Sequence, residues 1–298
     1  MKESIGFVGL GMMGERMADR LLHAGYSLFV TNRTKEKAEA LLRKGATWTD
    51  SPAEIASRCE IVFSMVSNSE ALNLISGGEN GILRALHSGG IHVDMSTVSP
   101  ETTRSLGEAY ASKGHSFIHS PVLGSTPQAA DGSLLLFVGG EEEAFKRVEP
   151  LLKILGSRLW RFDRPEKASH VKLLCNFLIA SMGTTLAQAL VYATKAGVDH
   201  STLLDILDHS SLSAPMYQTK GNSILDRNFA PRFFVEHMLK DVKLVRESSN
   251  ILGTPMPTVP VALELFSEAV RKGFGREDYS AVVKVIEQAA GAEARRER

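Results

Sequence analysis

The sequence contains little cysteine, since only Cys59 and Cys175 occur among its 298 residues. They form no C-x-x-C pattern, which argues against a zinc or thiol-redox motif, and two free thiols are favoured over a single disulfide. No cluster of His, Cys and Asp has metal-ligand spacing. The formal net charge is zero, which argues against a bulk attraction to nucleic acid or anionic membrane. We therefore expect no metal ion, no nucleic-acid partner and no membrane partner.

Long uninterrupted apolar runs are also scarce. The most apolar stretch, 173–193, is interrupted by polar residues such as Asn176 and Gln188, so a buried core helix explains it better than a membrane span. A strand-like run begins near residue 4, which leaves no room for a signal peptide. We therefore expect a cytoplasmic protein.

Short apolar runs alternate with helix-like segments in the first half of the chain. The strand-like runs are Ile5–Val8, Leu28–Thr31, Ile61–Met65, Ile91–Asp94, Ser116–His119, Leu134–Val138 and Arg158–Phe162. This alternation predicts an α/β fold with a doubly wound, mostly parallel sheet. After Asp163 only helical patterns continue, beginning with one long helix over about 166–195. The sequence therefore predicts an α/β domain over 1–163 and an all-helical C-terminal domain over 164–298.

A glycine-rich turn follows the first strand-like run. It reads Gly9, Leu10, Gly11, Met12, Met13 and Gly14 and leads into a helix-like segment. In Rossmann-like dinucleotide-binding domains the first glycine of G-x-G-x-x-G permits a tight turn. The second lets a pyrophosphate approach the backbone, and the third lets the helix pack closely on the strand. The N–H groups and the dipole of the helix then favour the phosphates.

The end of the second strand-like run indicates which dinucleotide binds. Asn32, Arg33 and Thr34 occupy the place where an NAD site usually has an acid for the ribose 2′-hydroxyl. The guanidinium of Arg33 suits a 2′-phosphate instead, and Lys37 lies one turn further on. Thr34 is predicted to cap a helix over Lys35–Lys44 and to bond the same phosphate. We therefore expect NADP(H); the alternative is that Arg33 and Lys37 are solvated surface charges.

Two later turns follow strand-like runs, where ligands of such sheets bind. Ser96 and Thr97 come directly after the run that ends at Asp94, so we expect them near the nicotinamide or its substrate. They can also begin a helix. In the turn after the next run, the backbone N–H groups of Gly124 and Ser125 are candidates for binding a substrate anion. The alternative is an ordinary strand-to-helix turn.

A lysine lies within the predicted long helix. Lys172 and Asn176 are four residues apart, so they share one face of a helix whose other residues are mostly apolar. A lysine is rarely buried without a partner, which makes Lys172 a catalytic candidate. The alternative is that its stem is buried while its ammonium reaches solvent.

Taken in order, these motifs resemble the β-hydroxyacid dehydrogenase family, and within it the NADP-using branch similar to glyoxylate/succinic semialdehyde reductases. The resemblance lies in GLGMMG at 9–14, D-x-S-T-x-x-P at 94–100, K-x-x-x-N at 172–176 and K-D-x-x-L at 240–244. It covers nearly the whole chain. It implies reduction of a small aldehyde or keto acid to the hydroxy acid by an NADPH-dependent enzyme, and assembly as a homodimer or homotetramer.

The resemblance also implies individual roles. Lys172 is the expected general acid and base, and Asn176 is expected to orient the substrate or the lysine. The other residues implied for the substrate are Ser96, Thr97, Leu123, Gly124, Ser125, Phe233 and Asp241. For the cofactor, the resemblance implies the glycine turn and the four residues Asn32, Arg33, Thr34 and Lys37. It also implies Met65, Val66, Thr97 and Lys240.

The chain departs from the family pattern in the segment 119–125. The family often reads D-A-P-V-S-G-G there, whereas this chain reads H-S-P-V-L-G-S, with Leu123 in place of a serine that helps to hold the substrate carboxylate. Cys175 replaces the first of a pair of asparagines. Two alternatives therefore stay open: a reductase of imines or uncharged carbonyls from the same superfamily, and a non-catalytic NADP-binding sensor.

Overall fold

Apolar runs rich in branched and aromatic residues form one sheet in the first half of the chain. Within residues 3–296, which this computed structural model describes, the sheet has nine strands. Their bounds are β1 Ser4–Val8, β2 Ser27–Thr31, β3 Thr47–Trp48, β4 Ile61–Ser64, β5 Ile91–Asp94, β6 Ser116–His119, β7 Val122–Leu123, β8 Leu134–Gly139 and β9 Gly156–Phe162. The two-residue strands β3 and β7 lie outside the predicted runs, since two residues show no alternation.

The order of the strands is 3-2-1-4-5-6-8-7, and β9 pairs with β8. Strands β1 to β6 are parallel, and β8 joins β6 in the antiparallel sense. The order 3-2-1-4-5-6 is that of doubly wound dinucleotide-binding sheets, in which ligands bind beyond the carboxyl ends of the strands. The predicted Rossmann-like fold class is therefore confirmed.

Alternation along the strands gives the sheet two covered faces. Residues such as Phe7 and Phe63 lie in one apolar layer, whereas Val8 and Val62 lie in the other. The α-helices of this part are α1 Gly14–His23, α2 Glu39–Arg43, α3 Pro52–Ala56, α4 Ser69–Gly77, α5 Pro100–Ala111, α6 Thr126–Asp131 and α7 Glu142–Leu155, with 3₁₀ turns at Lys35–Ala38 and Ile82–Arg84. Both layers are buried, as a mostly parallel sheet requires.

The predicted helix over Lys35–Lys44 is wrong in detail. It is a 3₁₀ turn followed by the short helix α2. Thr34 does occupy the N-cap position, but its side chain makes no capping hydrogen bond in the described structure. The segment therefore begins without the contact that would favour a regular α-helical first turn.

Helices alone build the rest of the chain. They are α8 Pro165–Ala196, α9 His200–His209, α10 Pro215–Leu225, α11 Val235–Ile251, α12 Val259–Arg271 and α13 Val283–Ala290, with a 3₁₀ turn at Tyr279–Val282. By length and composition alone, α8 is long and apolar enough to cross a membrane. However, 44% of its most apolar 18-residue segment is buried within the protein. From Leu173 onward, most of its buried apolar residues belong to a core shared with the later helices, as expected for a core helix.

Two compact units result, and they divide inside α8. The first ends at Lys172 and the second begins at Leu173. The first two turns of α8 thus belong with the sheet: Ser169 Oγ lies 2.9 Å from Thr103 Oγ1 of α5, and both side chains are buried. Lys172 follows Ser169 by one helical turn, so this contact fixes the helix segment that carries the lysine.

Candidate active site

The glycine turn after β1 has the shape that a bound pyrophosphate needs. Gly9 has a φ of 97°, and a Cβ at Gly9 would overlap the Met65 carbonyl oxygen. A Cβ at Gly14 would overlap the Gly9 carbonyl oxygen, whereas one at Gly11 would meet no described atom within 4 Å. Gly9 and Gly14 are therefore packed against protein, and Gly11 borders open space. This is the division of roles predicted from the motif.

The first turn of α1 is also suited to an anion. In the described part of the chain no side chain caps this helix, whose N-cap position is Met13. The carbonyl of Met12 accepts a hydrogen bond from Arg16 at 2.5 Å. Uncapped N–H groups at a helix start favour phosphate, so the residues present fit a dinucleotide.

Asn32 links the end of β2 to this turn. Its Oδ1 accepts a hydrogen bond from the Leu10 backbone at 3.0 Å, and its Nδ2 donates to the Thr34 carbonyl at 2.8 Å. Arg33 and Lys37 are exposed. The end of β2 therefore presents cations and an amide, with no carboxylate at positions 32 to 34 to repel a phosphate.

A buried carboxylate lies at the carboxyl end of β5. Asp94 Oδ1 accepts hydrogen bonds from Ser64 Oγ and Ser96 Oγ, each at 2.7 Å. Its Oδ2 accepts from His119 Nδ1 at 3.1 Å and from the Ser96 backbone at 3.3 Å. All four residues are fully buried. Burial alone would raise the pKa of Asp94, but the hydrogen bonds from His119 and Ser64 hold that pKa below its usual value.

The hydrogen bonds continue from Ser64 into the sheet. His92 Nε2 lies 2.8 Å from Ser64 Oγ, and His92 Nδ1 lies 2.8 Å from the Tyr110 hydroxyl. Burial lowers the pKa of His92 to about 4, so the ring is neutral near pH 7. Because Ser64 gives its only proton to Asp94, it accepts from His92 Nε2, and Tyr110 donates to Nδ1. Every donor in this series thus points toward Asp94.

The predicted substrate residues of the first unit have different surroundings. Ser96 is fully buried, whereas Thr97 is half-buried. Leu123 is half-buried on β7. The Ser125 N–H donates to Gln128 Oε1 at 2.9 Å within the capping box of α6. The capping box thus gives this N–H an internal acceptor, and its binding of a substrate anion stays a prediction.

The long helix places Lys172 and Asn176 as predicted, one turn apart on α8. Lys172 is 8% exposed and Asn176 is 3% exposed. In the second unit Asn176 Nδ2 donates to Asp241 Oδ2 at 2.5 Å, although the two residues are 65 positions apart. Lys240 Nζ lies 2.9 Å from Asp241 Oδ1, as an ion pair without hydrogen-bond alignment. The structure thus brings three predicted residues of the second unit together.

Phe233 precedes α11 and is held by a second buried acid. Asp278 Oδ2 accepts hydrogen bonds from the backbones of Arg232 and Phe233 at 3.2 and 3.4 Å. Asp278 Oδ1 pairs with Lys220 Nζ at 2.7 Å. The Phe233 carbonyl accepts from the Tyr279 backbone at 2.8 Å. The loop that carries Phe233 is therefore fixed through three chain segments.

Sequence reasoning gave no role to several residues of these two networks. They are Ser64, His92, Asp94, Tyr110, His119, Lys220 and Asp278. One signal was available: a strand whose Ile91 and Val93 alternate with His92 and Asp94 is unusual in a sheet buried on both faces, where near-continuous apolar runs are expected. The partners on other elements could not be read from that pattern.

Two families of nicotinamide-dinucleotide-binding domains match this chain. The family described as the NAD binding domain of 6-phosphogluconate dehydrogenase matches residues 4–163, and that described as NAD-binding of NADP-dependent 3-hydroxyisobutyrate dehydrogenase matches residues 167–286. Glyoxylate/succinic semialdehyde reductase 1 of Arabidopsis thaliana is 34% identical over 282 residues, which are 95% of this chain and 98% of that protein.

Solved structures extend the comparison. A 3-hydroxyisobutyrate dehydrogenase from Salmonella typhimurium is similar with a TM-score of 0.85 and 28% identity, over 95% of this chain and 100% of that one. Psf3, solved in complex with NADP+ and 2-OPP, is similar with a TM-score of 0.86 and 26% identity, over 95% and 99% of the two chains.

Both matched families bind nicotinamide dinucleotides, and the glycine turn fits such a ligand. The protein is therefore an oxidoreductase built on a Rossmann-like domain. The relatives that match along almost the full length narrow this class: the chain belongs to the β-hydroxyacid dehydrogenase family.

Proposed function

We propose that the protein is an NADPH-dependent reductase that converts a small aldehyde or keto acid into the corresponding hydroxy acid. The observation that carries this proposal is the nearly complete burial of Lys172 on α8, one turn before Asn176. The similarity to a glyoxylate/succinic semialdehyde reductase supports the substrate class. The exposed cations at the end of β2 support the preference for the 2′-phosphate.

The residues of this chain supply the proton and the orientation. When bound, the nicotinamide supplies the hydride that forms the new C–H bond. The electron pair of the carbonyl double bond then moves onto oxygen, and Lys172 Nζ protonates that oxygen. Asn176 is held by Asp241 through its Nδ2, and its proposed role is to orient the lysine or the substrate.

The test is NADPH oxidation against a panel of carbonyls, with wild type compared to Lys172→Ala. Loss of a general acid lowers kcat by about 10²–10⁴-fold. Lys167→Ala is the matched control, because Lys167 lies on the same helix and its ammonium pairs with Asp163 at 2.7 Å. Equal kcat for Lys172→Ala and wild type would reject the assigned acid. NADPH binding without any turnover would return the sensor hypothesis.

Cofactor preference is tested separately by binding. Arg33→Ala should weaken NADPH binding by about 10- to 100-fold, the range for a hydrogen bond to a charged group, and leave NADH binding unchanged. Arg43→Ala is the control, since Arg43 is an exposed arginine of the same unit. An equal loss for NADH and NADPH would show that Arg33 does not read the 2′-phosphate.

One observation favours a second candidate substrate class. Leu123 offers no hydroxyl at the position where the family often has serine, and it is half-buried. An apolar side chain there favours an uncharged carbonyl or an imine. The panel therefore includes glyoxylate, succinic semialdehyde, an uncharged aldehyde and a cyclic imine, and turnover of only the last two would establish this alternative.

We also propose a homodimer or a homotetramer. The outer face of α8 exposes Leu174, Leu178 and Tyr192 by 52%, 57% and 76%. With Thr185 these residues follow a spacing near 3.5 per turn, which suits packing against a second helix. The state in solution is measured by light scattering, and Leu178→Glu should lower the assembled fraction.

A further inference from the structure

The hydroxyl of Ser96 is occupied on both sides by protein. It donates to Asp94 Oδ1 at 2.7 Å and accepts from the Val66 backbone N–H at 2.8 Å. Ser96 is fully buried, and its own backbone N–H also donates to Asp94. A hydroxyl has a single proton to give, so in this arrangement Ser96 cannot donate to a substrate oxygen.

The turn held by Ser96 contacts the glycine turn. A Cβ at Gly9 would lie 3.3 Å from Val66 Cγ1 and would overlap the Met65 carbonyl. The Met65 backbone N–H donates to the Val8 carbonyl at 2.9 Å. The position of the Val66 turn therefore determines the space beside the phosphate-binding turn.

Asp94 connects this arrangement to two neighbouring strands. It receives Ser64 from β4 and His119 from β6, besides Ser96 at the end of its own strand. The Ser120 backbone N–H also donates to the Asp94 carbonyl. The carboxylate itself has four donors, because Ser96 donates both its hydroxyl and its backbone N–H. A buried carboxylate with four donors is held in one orientation, so Asp94 fixes the direction in which Ser96 points.

We propose that Asp94 is a positioning residue for the cofactor site, and that Ser96 serves it by holding the Val66 turn instead of binding the carbonyl substrate. The proposal rests on the proposed function, because it assumes that NADPH occupies the glycine turn. It assigns the serine of the D-x-S-T segment to the cofactor side. Thr97, which is half-buried, stays the residue of this segment that we propose for the ligand side.

Ser96→Ala separates the two roles through two affinities. If Ser96 holds the Val66 turn, its loss should raise the Kd for NADPH by about 3- to 10-fold, as expected for one hydrogen bond. The KM for the carbonyl at saturating NADPH should stay within about 2-fold of wild type. Kd is measured by titrating NADPH fluorescence, which needs no turnover.

Ser120→Ala is the matched control. Ser120 is equally buried at the end of the neighbouring strand, and its Oγ has no hydrogen-bond partner among residues 3–296. This variant should keep the wild-type Kd and KM. Thermal melting of both variants shows whether a changed Kd reflects the turn or a loss of folding.

His119 provides a second pair of variants that tests Asp94 itself. His119→Asn keeps an N–H donor near the position of Nδ1, whereas His119→Leu removes it. NADPH affinity should be retained in the first and reduced by about 3-fold or more in the second. Equal NADPH affinities of the two variants would overturn the role of Asp94 as a positioning residue.

The outcomes distinguish this proposal from the function it assumes. A wild-type protein that does not bind NADPH would refute the proposed function. If the wild type binds NADPH, a Ser96→Ala variant with unchanged Kd and a carbonyl KM raised about 10-fold would overturn the positioning role. A variant in which neither value changes would overturn it as well, since Ser96 would then contribute only to folding.

Discussion

The two units bury carboxylates beside different partners. In the first unit one carboxylate, Asp94, is surrounded by hydroxyl, imidazole and backbone donors at adjoining strand ends. In the second unit buried acids face cations: Asp278 pairs with Lys220 and Glu287 pairs with Arg227. Backbone donors reach acids of both units, since Asp278 also accepts from the Arg232 and Phe233 N–H groups. What differs is that a cation faces the acid only in the pairs of the second unit described here, so that unit is expected to depend more strongly on those cationic side chains.

Removing one partner of a buried ion pair should have the largest effect. Lys220→Met leaves Asp278 buried beside backbone donors without its cation, and breaking such a pair destabilises by about 3–5 kcal/mol. Chemical denaturation measures the free energy of unfolding. The double variant Lys220→Met with Asp278→Asn should recover part of the loss. A Lys220→Met variant as stable as wild type would show that the pair does not hold the Phe233 loop.

The buried imidazole of the first unit should make stability depend on pH. In the unfolded chain a histidine binds a proton near pH 6.5, whereas in the folded protein the pKa of His92 is about 4. The unfolded state therefore binds more protons between these values, and stability present above pH 6.5 falls by roughly 3 kcal/mol as the pH drops to 4. His92→Gln should remove this loss, and His87→Gln, which changes an exposed histidine, should retain it. The lowered pKa of Asp94 acts in a separate window below pH 3.8.

A buried pair of neutral groups should matter less. Ser169→Ala removes the contact between α8 and Thr103, but Thr103 keeps its hydrogen bond to the Pro100 carbonyl at 3.0 Å. Because no polar atom of Thr103 is stranded, the loss should be about 1 kcal/mol. A drop in kcat of Ser169→Ala at unchanged NADPH affinity would show in addition that this contact positions Lys172.

Removing an exposed ion pair should have the smallest effect on the free energy of unfolding. Arg43 pairs with Glu39 at 3.7 Å, and both side chains are more than half exposed. Arg43→Ala should change the free energy of unfolding by less than about 0.5 kcal/mol. A larger change would mean that burial is not what separates the ion pairs of this protein.

A feature can be predicted from the sequence when it depends on residues that are close together along the chain. The strand runs around Ile5 and Ile91 were predicted nearly to the residue, because alternation and flanking turns are local. The same reasoning failed at Lys35–Lys44, where a 3₁₀ turn replaces the first helical turns. The spacing of Ser125 and Gln128 is a local pattern of the kind that forms the observed capping box.

By itself the sequence determined the doubly wound fold, the glycine turn and the face of α8 that carries Lys172 and Asn176. Each of these follows from periodicity or from the backbone freedom of glycine within a few residues. Only the folded chain shows that the Ser96 hydroxyl accepts from the Val66 N–H and that Asn176 meets Asp241. Those two contacts join residues that are 30 and 65 positions apart, and only strand register and helix packing bring such side chains together.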